Sequence, residues 1–475
     1  MGETFRTYQS RLPLSASTVL DWHGRPGAFK RLTPAWAHAR VVNGEGSINP
    51  GDWKTIRLSG GPAHLDWTIR HENLDGLGFR DVQAAGPFKT WRHDHRFIES
   101  DADASRLEDR LTYELPIAPI LNPLAGGYVQ QKLDGLFWFR HLRTQHDLDR
   151  HNGALASGPL RIAITGSSGL VGRQLVAFLR TGGHTVIPIV RHRNGDAGEV
   201  LWNPSAGMIE AEALEGCDAV VHLAGESIAN GRWTHARKEA ILQSRVEATT
   251  LLSNTLASLR RPPRVLVSVS AVGYYGDRGS EQLVESTSNG NGFLAGVCKN
   301  WEEAADSARN AGIRVVHPRF GIVIAGAGGM LNKLTPLFRL GAGGRLGNGN
   351  QYMSWIAIDD LLGVLLESIT NERLHGPVNA VAPNPVTNRE FTSIVANVLR
   401  RPALFPAPAP FLRVVLGQMA DELLLASQRA VPGCLEEAGF RFFFPTVEEA
   451  LRFELGSIDE ETRSRFVEVA RSTAN

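Results

Sequence analysis

The chain has 475 residues, of which 43% are hydrophobic, and its formal charge is +1 at pH 7. This length is enough for two or three domains with their own cores, and the balanced charge excludes an extended polyanion-binding surface, so we expect no nucleic-acid partner. Three widely separated cysteines (Cys217, Cys298 and Cys434) fit a reducing compartment. No apolar run has membrane-spanning length and the first residues lack a signal-peptide pattern. We therefore expect a cytoplasmic protein without membrane insertion, whose oligomeric state the composition leaves open.

The first 150 residues combine aromatic side chains with alternating segments. A helix is predicted at 16–23 and a longer one at 128–148. Four segments alternate between apolar and polar residues, as half-buried antiparallel strands do: 64–72, 79–82, 90–98 and 106–115. A helix against a curved sheet leaves a cavity, which Trp67, Trp91 and Trp138 either line or, as ordinary core residues, fill.

His93 and His95 are two residues apart on a predicted strand and therefore share one face. A metal site needs further ligands, and the sequence shows no third one beside this pair. We therefore expect hydrogen-bonding or solvent-facing roles for both histidines and predict no metal site.

The same region resembles the START-like, polyketide-cyclase/dehydrase superfamily. The resemblance is carried by Arg11-Leu-Pro-Leu-Ser-Ala, Trp22-His-Gly-Arg-Pro-Gly-Ala-Phe, Leu32-Thr-Pro, Gly86-Pro-Phe and Trp91. It implies an α+β helix-grip domain over residues 1–150 that binds a hydrophobic ligand in its cavity, in many members without a catalytic role.

A glycine-punctuated turn follows the apolar strand predicted at 160–165. Gly166 permits a tight turn, Gly169 lets the backbone approach a pyrophosphate, and Gly172 lets the next helix pack on the strand. That helix is predicted at 173–181, and a second strand at 184–190 completes the unit. A diphosphate would lie at the helix N-terminus, where free N–H groups favour negative charge. The pattern predicts a dinucleotide-binding βαβ unit.

The end of the second strand distinguishes between the two nicotinamide cofactors. It reads Val190-Arg191-His192-Arg193-Asn194, with no carboxylate before Asp196. An acidic residue here would bind a ribose hydroxyl, whereas a planar guanidinium matches a 2′-phosphate. The sequence favours NADP(H) with Arg191 at the phosphate, and the alternative is a solvated basic turn.

The second half continues the alternation of strand and helix. Strands are predicted at 217–225 and 265–270, with a helix at 234–259 between them. This order is typical of a Rossmann, doubly wound parallel sheet in the α/β class. Glycine-rich stretches at 326–329 and 341–349 flank a segment expected to close over substrate, and the alternative is that they are surface turns.

Residues 160–456 resemble the atypical short-chain dehydrogenase/reductases called the epimerase family, which are related to NAD-dependent epimerase/dehydratases. The matching segments are His222-Leu-Ala-Gly-Glu-Ser-Ile, Ser270-Ala-Val-Gly-Tyr-Tyr-Gly, Arg319-Phe-Gly-Ile-Val, Met353-Ser-Trp-Ile-Ala-Ile-Asp-Asp-Leu and Gly376-Pro-Val-Asn-Ala-Val-Ala-Pro-Asn-Pro-Val-Thr-Asn. A C-terminal signature follows as Met419-Ala-Asp-Glu-Leu-Leu-Leu-Ala-Ser-Gln and Ala438-Gly-Phe.

The resemblance implies a cofactor site and a catalytic group. The residues implied to bind NADP(H) are Gly166, Ser167, Ser168, Gly169, Leu170, Val171, Gly172, Val190, Arg191, Leu223, Ala224, Gly225, Arg245 and Lys299. Ser270 would orient the substrate oxygen, and Lys299 occupies the position of the active-site lysine. The tyrosine expected four residues before that lysine is replaced by Ala295.

The missing phenol leaves three alternatives. Tyr274 or Tyr275 supplies it from another direction, another group does so, or no turnover occurs. The protein is then either an oxidoreductase or epimerase on a small carbonyl or hydroxyl substrate, or an NADP(H)-binding redox sensor that also holds an apolar ligand. A further alternative is a delivery arrangement, in which the START-like domain passes a hydrophobic substrate to the reductase.

Together these patterns divide the chain into five segments. We predict a START-like domain at 1–150, a linker at 151–160, an NADP-binding Rossmann domain at 161–383, a C-terminal substrate subdomain at 384–458 and a tail at 459–475.

Overall fold

A computed structural model describes residues 3–44, 47–60, 63–101, 103–116, 122–154, 158–193, 195 and 198–471. The chain divides into two compact units. Unit 1 comprises Met1–Ala156, Ala177–Gly183 and Arg452–Asn475, and unit 2 comprises Ser157–Val176 and His184–Leu451. Among the described residues, no helix is long and apolar enough to cross a membrane.

Unit 1 is built on a seven-stranded antiparallel sheet. Its strands are β1 (Thr4–Leu12), β2 (Ala39–Gly44), β3 (Trp53–Gly60), β4 (Ala63–Asn73), β5 (Gly78–Ala85), β6 (Thr90–Asp101) and β7 (Ala104–Glu114), in the order β1-β7-β6-β5-β4-β3-β2. Its first helices are α1 (Ala16–Gly24), α2 (Ala28–Arg31) and α3 (Asn122–Ala154). The four alternating segments are thus confirmed as β4 to β7, and both predicted helices are present.

The inner face of the sheet follows the period-two pattern of β6. Trp91, His93, His95 and Phe97 are all buried, as one face of a strand requires. Because β5 pairs with β6, Asp81 lies directly opposite His93. The expectation that the two histidines have no third group beside them is therefore wrong: the partner is 12 residues away in sequence but adjacent across the sheet.

Aromatic side chains fill much of the space between sheet and helix. Trp91 is 6% exposed, and its ring lies 4.8 Å from that of Trp67. Phe137 of α3 stacks on Tyr8 of β1 at 4.3 Å. Trp138 packs against Phe453. These contacts are those of a packed core.

The segment predicted as a tail contains helix α14 (Glu460–Arg471), which belongs to unit 1. Phe466 stacks on Tyr8 with 5.7 Å between ring centres, and Arg463 donates to the buried Asp134 at 2.8 Å. The prediction of a tail missed this helix because its partners lie more than 300 residues earlier in the chain.

Unit 2 contains a doubly wound parallel sheet. The strands of this sheet are β8 (Arg161–Thr165), β9 (Thr185–Val190), β10 (Val200–Asn203), β11 (Met208–Ile209), β12 (Ala219–His222), β13 (Val265–Ser268), β14 (Ser270–Ala271), β16 (Arg314–Phe320) and β20 (Gly376–Ala380). The order is β11-β10-β9-β8-β12-β13-β16-β14, with β20 also paired to β16. The pairing is parallel throughout except between β10 and the short β11. The Rossmann expectation is confirmed.

Short strands and helices complete unit 2. The strands are β15 (Gln282–Leu283), β17 (Ile322–Ile324), β18 (Tyr352–Met353), β19 (Trp355–Ala357), β21 (Val386–Thr387) and β22 (Arg429–Ala430). The helices are α4 (Leu170–Thr181), α5 (His235–Ser258), α6 (Phe293–Glu303), α7 (Asp306–Asn310), α8 (Gly329–Arg339), α9 (Ile358–Thr370), α10 (Asn388–Leu399), α11 (Ala409–Leu416), α12 (Gly433–Glu437) and α13 (Val447–Leu455), of which α4 and α13 each extend into unit 1.

The strand order reverses between β8 and β12, from which the sheet grows in opposite directions. In open α/β sheets, ligands bind beyond the carboxyl ends of the strands at such a point. A ligand site is therefore expected beside the turn after β8 and the residues after β12.

Candidate active site

A cavity of about 540 Å³ lies in unit 2, where the turn after β8 meets the residues after β12. It continues past Ser270 and one face of α6 toward side chains of α8 and α10. The predicted site residues that line it are Gly166, Gly169, Leu170, Val171, Gly172, Leu223, Arg245 and Ser270. The predicted residues that do not belong to its lining are Ser167, Ser168, Val190, Arg191, Ala224, Gly225, Tyr274, Tyr275 and Lys299.

The glycine turn is closed by contacts that a side chain would obstruct. Gly166 has φ +67°, and a Cβ there would lie 2.9 Å from the carbonyl carbon of Leu223. A Cβ on Gly172 would lie 2.2 Å from the Gly166 oxygen, whereas one on Gly169 would lie 3.2 Å from it. The amide of Gly169 donates to the Gly166 carbonyl at 3.0 Å. The turn therefore packs its glycine backbone closely against the start of α4 and the residues after β12.

A buried threonine–histidine pair holds the end of β12 beside the turn. The Thr165 hydroxyl accepts from the amides of Leu223 at 3.1 Å and Ala224 at 3.2 Å, and it shares a 2.7 Å hydrogen bond with His222 Nδ1. The other ring nitrogen of His222 contacts Thr249 Oγ1 at 3.0 Å. Burial lowers the pKa of His222 to about 3, so its ring is neutral and can accept the Thr165 proton. Sequence reasoning identified the backbone of this segment but not the side chains that position it.

Arg245 of α5 lines the cavity, and one nitrogen of its guanidinium is hydrogen-bonded within the protein. Its guanidinium donates to the carbonyls of Glu226 and Ile241, both at 3.0 Å, and lies 4.8 Å from the centre of the Trp301 ring. Gly225 lies against it, since a Cβ there would be 3.3 Å from the guanidinium carbon.

The two arginines after β9 differ in their partners. Arg193 donates to the Glu210 carboxylate at 2.6 Å and to the Glu199 carbonyl at 2.7 Å. Arg191 is exposed at the carboxyl end of β9, directly after the half-buried Val190. Of the two, Arg191 has the position that the prediction requires.

Tyr274 and Tyr275 belong to a packed cluster around Arg319. The Tyr275 hydroxyl is 2.7 Å from Asn379 Oδ1 and accepts from Arg319 at 3.0 Å, and burial raises the pKa of this phenol to about 12. The Arg319 guanidinium lies 3.5 Å from the centre of the Tyr274 ring. Arg319 also forms a buried ion pair with Glu302 at 2.9 Å. These contacts engage both tyrosine side chains, and neither tyrosine belongs to the cavity lining.

Helix α6 turns different residues toward the cavity from those expected. Leu294, Val297, Cys298 and Trp301 line it, at the three- and four-residue intervals of one helical face. The side chain of Lys299 is 55% exposed, and its Nζ atom lies 3.8 Å from Glu303 Oε1. Since successive residues are rotated by about 100° around a helix, Lys299 lies beside the cavity-facing stripe and not on it. The apolar pattern of α6 was the available signal for Cys298.

Ser270 and Cys298 are two polar residues of the cavity lining that lie next to each other. Both are buried, and the Cys298 thiol lies against Ser270 and the backbone of Ala271. Burial raises the pKa of Cys298 to about 11, so its thiol is protonated at neutral pH. A hydroxyl and a thiol can donate hydrogen bonds to a substrate oxygen.

Sequence comparison assigns both parts of unit 2. The NAD dependent epimerase/dehydratase family matches residues 162–380, and a domain of unknown function, DUF1731, matches residues 407–454. An epimerase family protein of Mycobacterium bovis is 44% identical over 292 residues, which cover 62% of this chain and 96% of that protein. The epimerase family protein SDR39U1 of Homo sapiens is 32% identical over 296 residues, or 62% of this chain and 99% of the human protein.

Solved structures extend the similarity. A nucleoside-diphosphate sugar epimerase from Corynebacterium glutamicum is similar over 98% of this chain and 97% of its own, with a TM-score of 0.78 and 35% identity. Human SDR39U1 (isoform 2), solved with NADPH, covers 63% of this chain and 100% of its own, with a TM-score of 0.58 and 31% identity. With its glycine turn at the switch point of a Rossmann sheet, the chain belongs to the NAD-dependent epimerase/dehydratase family, among the epimerase family proteins that resemble SDR39U1.

Proposed function

We propose that this protein is an NADP(H)-dependent oxidoreductase or epimerase acting on a carbonyl or hydroxyl group of a largely apolar small molecule. The observation that carries the proposal is the single cavity that joins the glycine turn to Ser270 and Cys298. A nicotinamide bound there would accept or donate a hydride. The NADPH found with the human relative supports the choice of cofactor.

The residues at the turn fit a dinucleotide. The turn admits no Cβ at Gly172, which keeps the backbone open beside the first amides of α4. Those amides would receive the diphosphate, because a helix N-terminus combines free N–H groups with a favourable dipole. The backbone of Leu223 would pack at the adenosine, and Arg191 would pair with the 2′-phosphate.

Ser270 and Cys298 are the groups that we assign to the substrate oxygen. Both lie on the cavity, whereas Tyr275 is engaged by Asn379 and Arg319. A protonated thiol is a weaker hydrogen-bond donor than a phenol. Because positioned proton transfer contributes about 10²–10⁴-fold to rate, we expect low activity on generic carbonyl compounds.

The lining favours an apolar substrate over a sugar nucleotide. Met330, Leu334, Phe338 and Phe391 provide much of the far wall. The described lining residues with a full charge are Arg245 and Glu422, and both are engaged within the protein. Arg245 donates to two carbonyls, and Glu422 accepts from the amides of residues 293 and 294 at the start of α6. Among the described lining residues, Arg245 is therefore the one cation that a substrate diphosphate could contact.

A catalytically weak NADP(H)-binding sensor is the second candidate. The observation that favours it is the pair of apolar residues, Leu294 and Ala295, near the position at which related enzymes carry the catalytic tyrosine. In this case cofactor occupancy itself would report the redox state.

For unit 1 we propose a START-like ligand-binding role, supported by the long helix α3 and the antiparallel sheet. A hydrophobic ligand would have to displace or rearrange the aromatic contacts around Trp91 and Tyr8. Binding of a fluorescent fatty acid whose affinity rises in a Trp91→Ala variant would support this role, and unchanged binding in the variant would count against it.

Cofactor choice is tested by titrating intrinsic tryptophan fluorescence with NADPH and NADH. We expect NADPH to bind at least about tenfold more tightly, which corresponds to about 1.4 kcal/mol. Arg191→Ala should remove this preference. Arg193→Ala is the matched control, because Glu210 and the Glu199 carbonyl engage that side chain, and it should leave the ratio unchanged. Equal affinities in the unmodified protein would refute the assignment of NADP(H).

Catalysis is tested with NADPH and a series of aldehydes and ketones of increasing chain length. We expect kcat/KM to rise with apolar length, and a Ser270→Ala, Cys298→Ala double variant to lose about 10²-fold or more in kcat while it still binds NADPH. Glu303→Ala, which removes an exposed carboxylate of the same helix, is the control. If the protein binds NADPH but turns over none of these substrates, the sensor function is favoured. If the double variant keeps its full kcat, Ser270 and Cys298 have no part in the mechanism.

A further inference from the structure

A second cluster of reactive side chains lies in unit 1, on the inner face of the sheet. Asp81 of β5 is directly opposite His93 of β6, and His95 of β6 is directly opposite Asp109 of β7. All four residues are buried, with relative exposures between 2% and 9%. Two imidazoles and two carboxylates therefore share a space that solvent does not reach.

The distances within this cluster match those of a small coordination sphere. One ligand atom from each of Asp81, His93 and His95 lies within 4.8 Å of the others. The Nε2 atom of His95 and the Oδ2 atom of Asp81 are 3.3 Å apart. Two ligands of a tetrahedral ion with bonds of about 2.0–2.1 Å are separated by about 3.3–3.4 Å. The pair already has the spacing of metal ligands.

A second layer of side chains orients these groups. Asp109 accepts from His93 Nε2 at 2.9 Å and from His95 Nδ1 at 2.8 Å. The Oδ1 atom of Asp81 accepts from His71 Nδ1 at 2.6 Å. His71 in turn contacts Lys54 Nζ at 3.2 Å. Histidines that bind metals usually donate their other N–H to a carboxylate or carbonyl, and ligating carboxylates are themselves hydrogen-bonded.

This layer determines which atoms remain available. His93 uses Nε2 and His95 uses Nδ1 toward Asp109, which leaves His93 Nδ1, His95 Nε2 and Asp81 Oδ2 for an ion. Two imidazoles and one carboxylate are a donor set for Zn²⁺ or for Fe²⁺, with at least one position open.

We propose that Asp81, His93 and His95 bind one divalent transition-metal ion of the zinc class, with Asp109 and His71 as positioning residues. The site is separate from the cavity of unit 2 and does not depend on the function proposed for it. In the absence of an ion the same residues form a closed hydrogen-bonded network, which is the competing explanation that the experiment must exclude.

The test uses the full-length chain, treated with a chelator and then titrated with Zn²⁺ in competition with a chromophoric chelator. We expect one equivalent to bind. Asp81→Asn and His95→Gln should each weaken binding by at least about tenfold, and His71→Gln by about 10–100-fold through loss of orientation. His64→Gln is the matched control, because that histidine is exposed on β4 of the same sheet. Titration with Co²⁺ should give the visible absorption of a four- or five-coordinate ion, which Asp81→Asn removes.

Two results would overturn the proposal. One is that the unmodified protein binds no more Zn²⁺ than the doubly substituted Asp81→Asn, His95→Gln protein does. That result would show that these residues form a hydrogen-bonded network and no metal site. The other is an octahedral Co²⁺ spectrum that survives His71→Gln, which would place the ion elsewhere on the surface. If a ligand variant fails to fold, the stoichiometry and the Co²⁺ spectrum of the unmodified protein still decide the question.

Discussion

Among glycine-to-alanine substitutions in the turn, Gly172→Ala should disrupt the cofactor site most. The added carbon would lie 2.2 Å from the Gly166 oxygen and 2.8 Å from the Ser167 Cα, whereas ordinary contacts begin at 3.4 Å. The turn and the first residues of α4 must therefore separate by about 1.2 Å. Overpacking of this kind costs about 1–3 kcal/mol, and the amides that would face the diphosphate move with the helix.

We expect the Gly172→Ala protein to bind NADPH at least about tenfold more weakly, equivalent to about 1.4 kcal/mol. Gly169→Ala is a graded comparison, since its methyl group would lie 3.2 Å from the same oxygen and needs a shift of only a few tenths of an ångström. Gly296→Ala is the control. It meets nothing within 4 Å and lies inside α6, where replacing glycine should stabilise the helix by up to about 1 kcal/mol.

The assay is a fluorescence titration with NADPH combined with urea unfolding of each variant. The expected order of NADPH affinity is Gly296→Ala, then Gly169→Ala, then Gly172→Ala. If Gly172→Ala binds NADPH as tightly as Gly296→Ala does, the turn is not the diphosphate site and the reasoning fails.

Three further predictions concern stability. Burial lowers the pKa of His222 to about 3, whereas an imidazole in the unfolded chain titrates near about 6.5. As the pH falls from about 6.5 to about 3, the unfolded chain therefore binds a proton that the folded protein does not, and the free energy of unfolding decreases. His222→Gln should remove about 2 kcal/mol of the difference in unfolding free energy between pH 7 and pH 5. Glu302→Ala should lower the free energy of unfolding in urea by about 3–5 kcal/mol, because it removes the ion-pair partner of the buried Arg319 guanidinium. Glu303→Ala, which breaks an exposed pair with Lys299, should lower it by no more than about 1 kcal/mol. Equal losses in the two variants would contradict this prediction. Arg463→Ala should lower the melting temperature of unit 1, since it removes a partner from the buried Asp134, and an unchanged melting curve would mean that α14 contributes little.

Local sequence patterns were sufficient to predict the strands and helices, and also the glycine turn at one end of the cavity. The period-two alternation of β4 to β7 depends on neighbouring residues alone, and so does the strand, glycine turn and helix around Gly166 and Gly172. The conformation that each glycine requires arises within a few residues of the turn. The glycine turn at this end of the cavity was therefore predictable, whereas half of the residues predicted to bind the cofactor, Arg191 among them, do not belong to the cavity lining.

The part of the cavity beside α6 was not predictable in the same way. A shift of one residue separates Cys298, which lines the cavity, from Lys299, which is exposed. The resemblance to related enzymes aligned the lysine, but which stripe of α6 faces inward is decided by its packing against the rest of unit 2. The burial of Tyr275 has the same origin, since its hydroxyl is held by Asn379, 104 residues later in the chain.

The sequence by itself determined the class of the protein: a Rossmann unit with a dinucleotide turn, preceded by a region of antiparallel strands. Only the tertiary structure decided which side chains meet. The position of Asp81 beside His93 depends on the register of β5 against β6, and the position of α14 against β1 joins the two ends of the chain. Glycine geometry and strand periodicity act between neighbours, whereas burial and side-chain contact depend on residues that the chain brings together only when it folds.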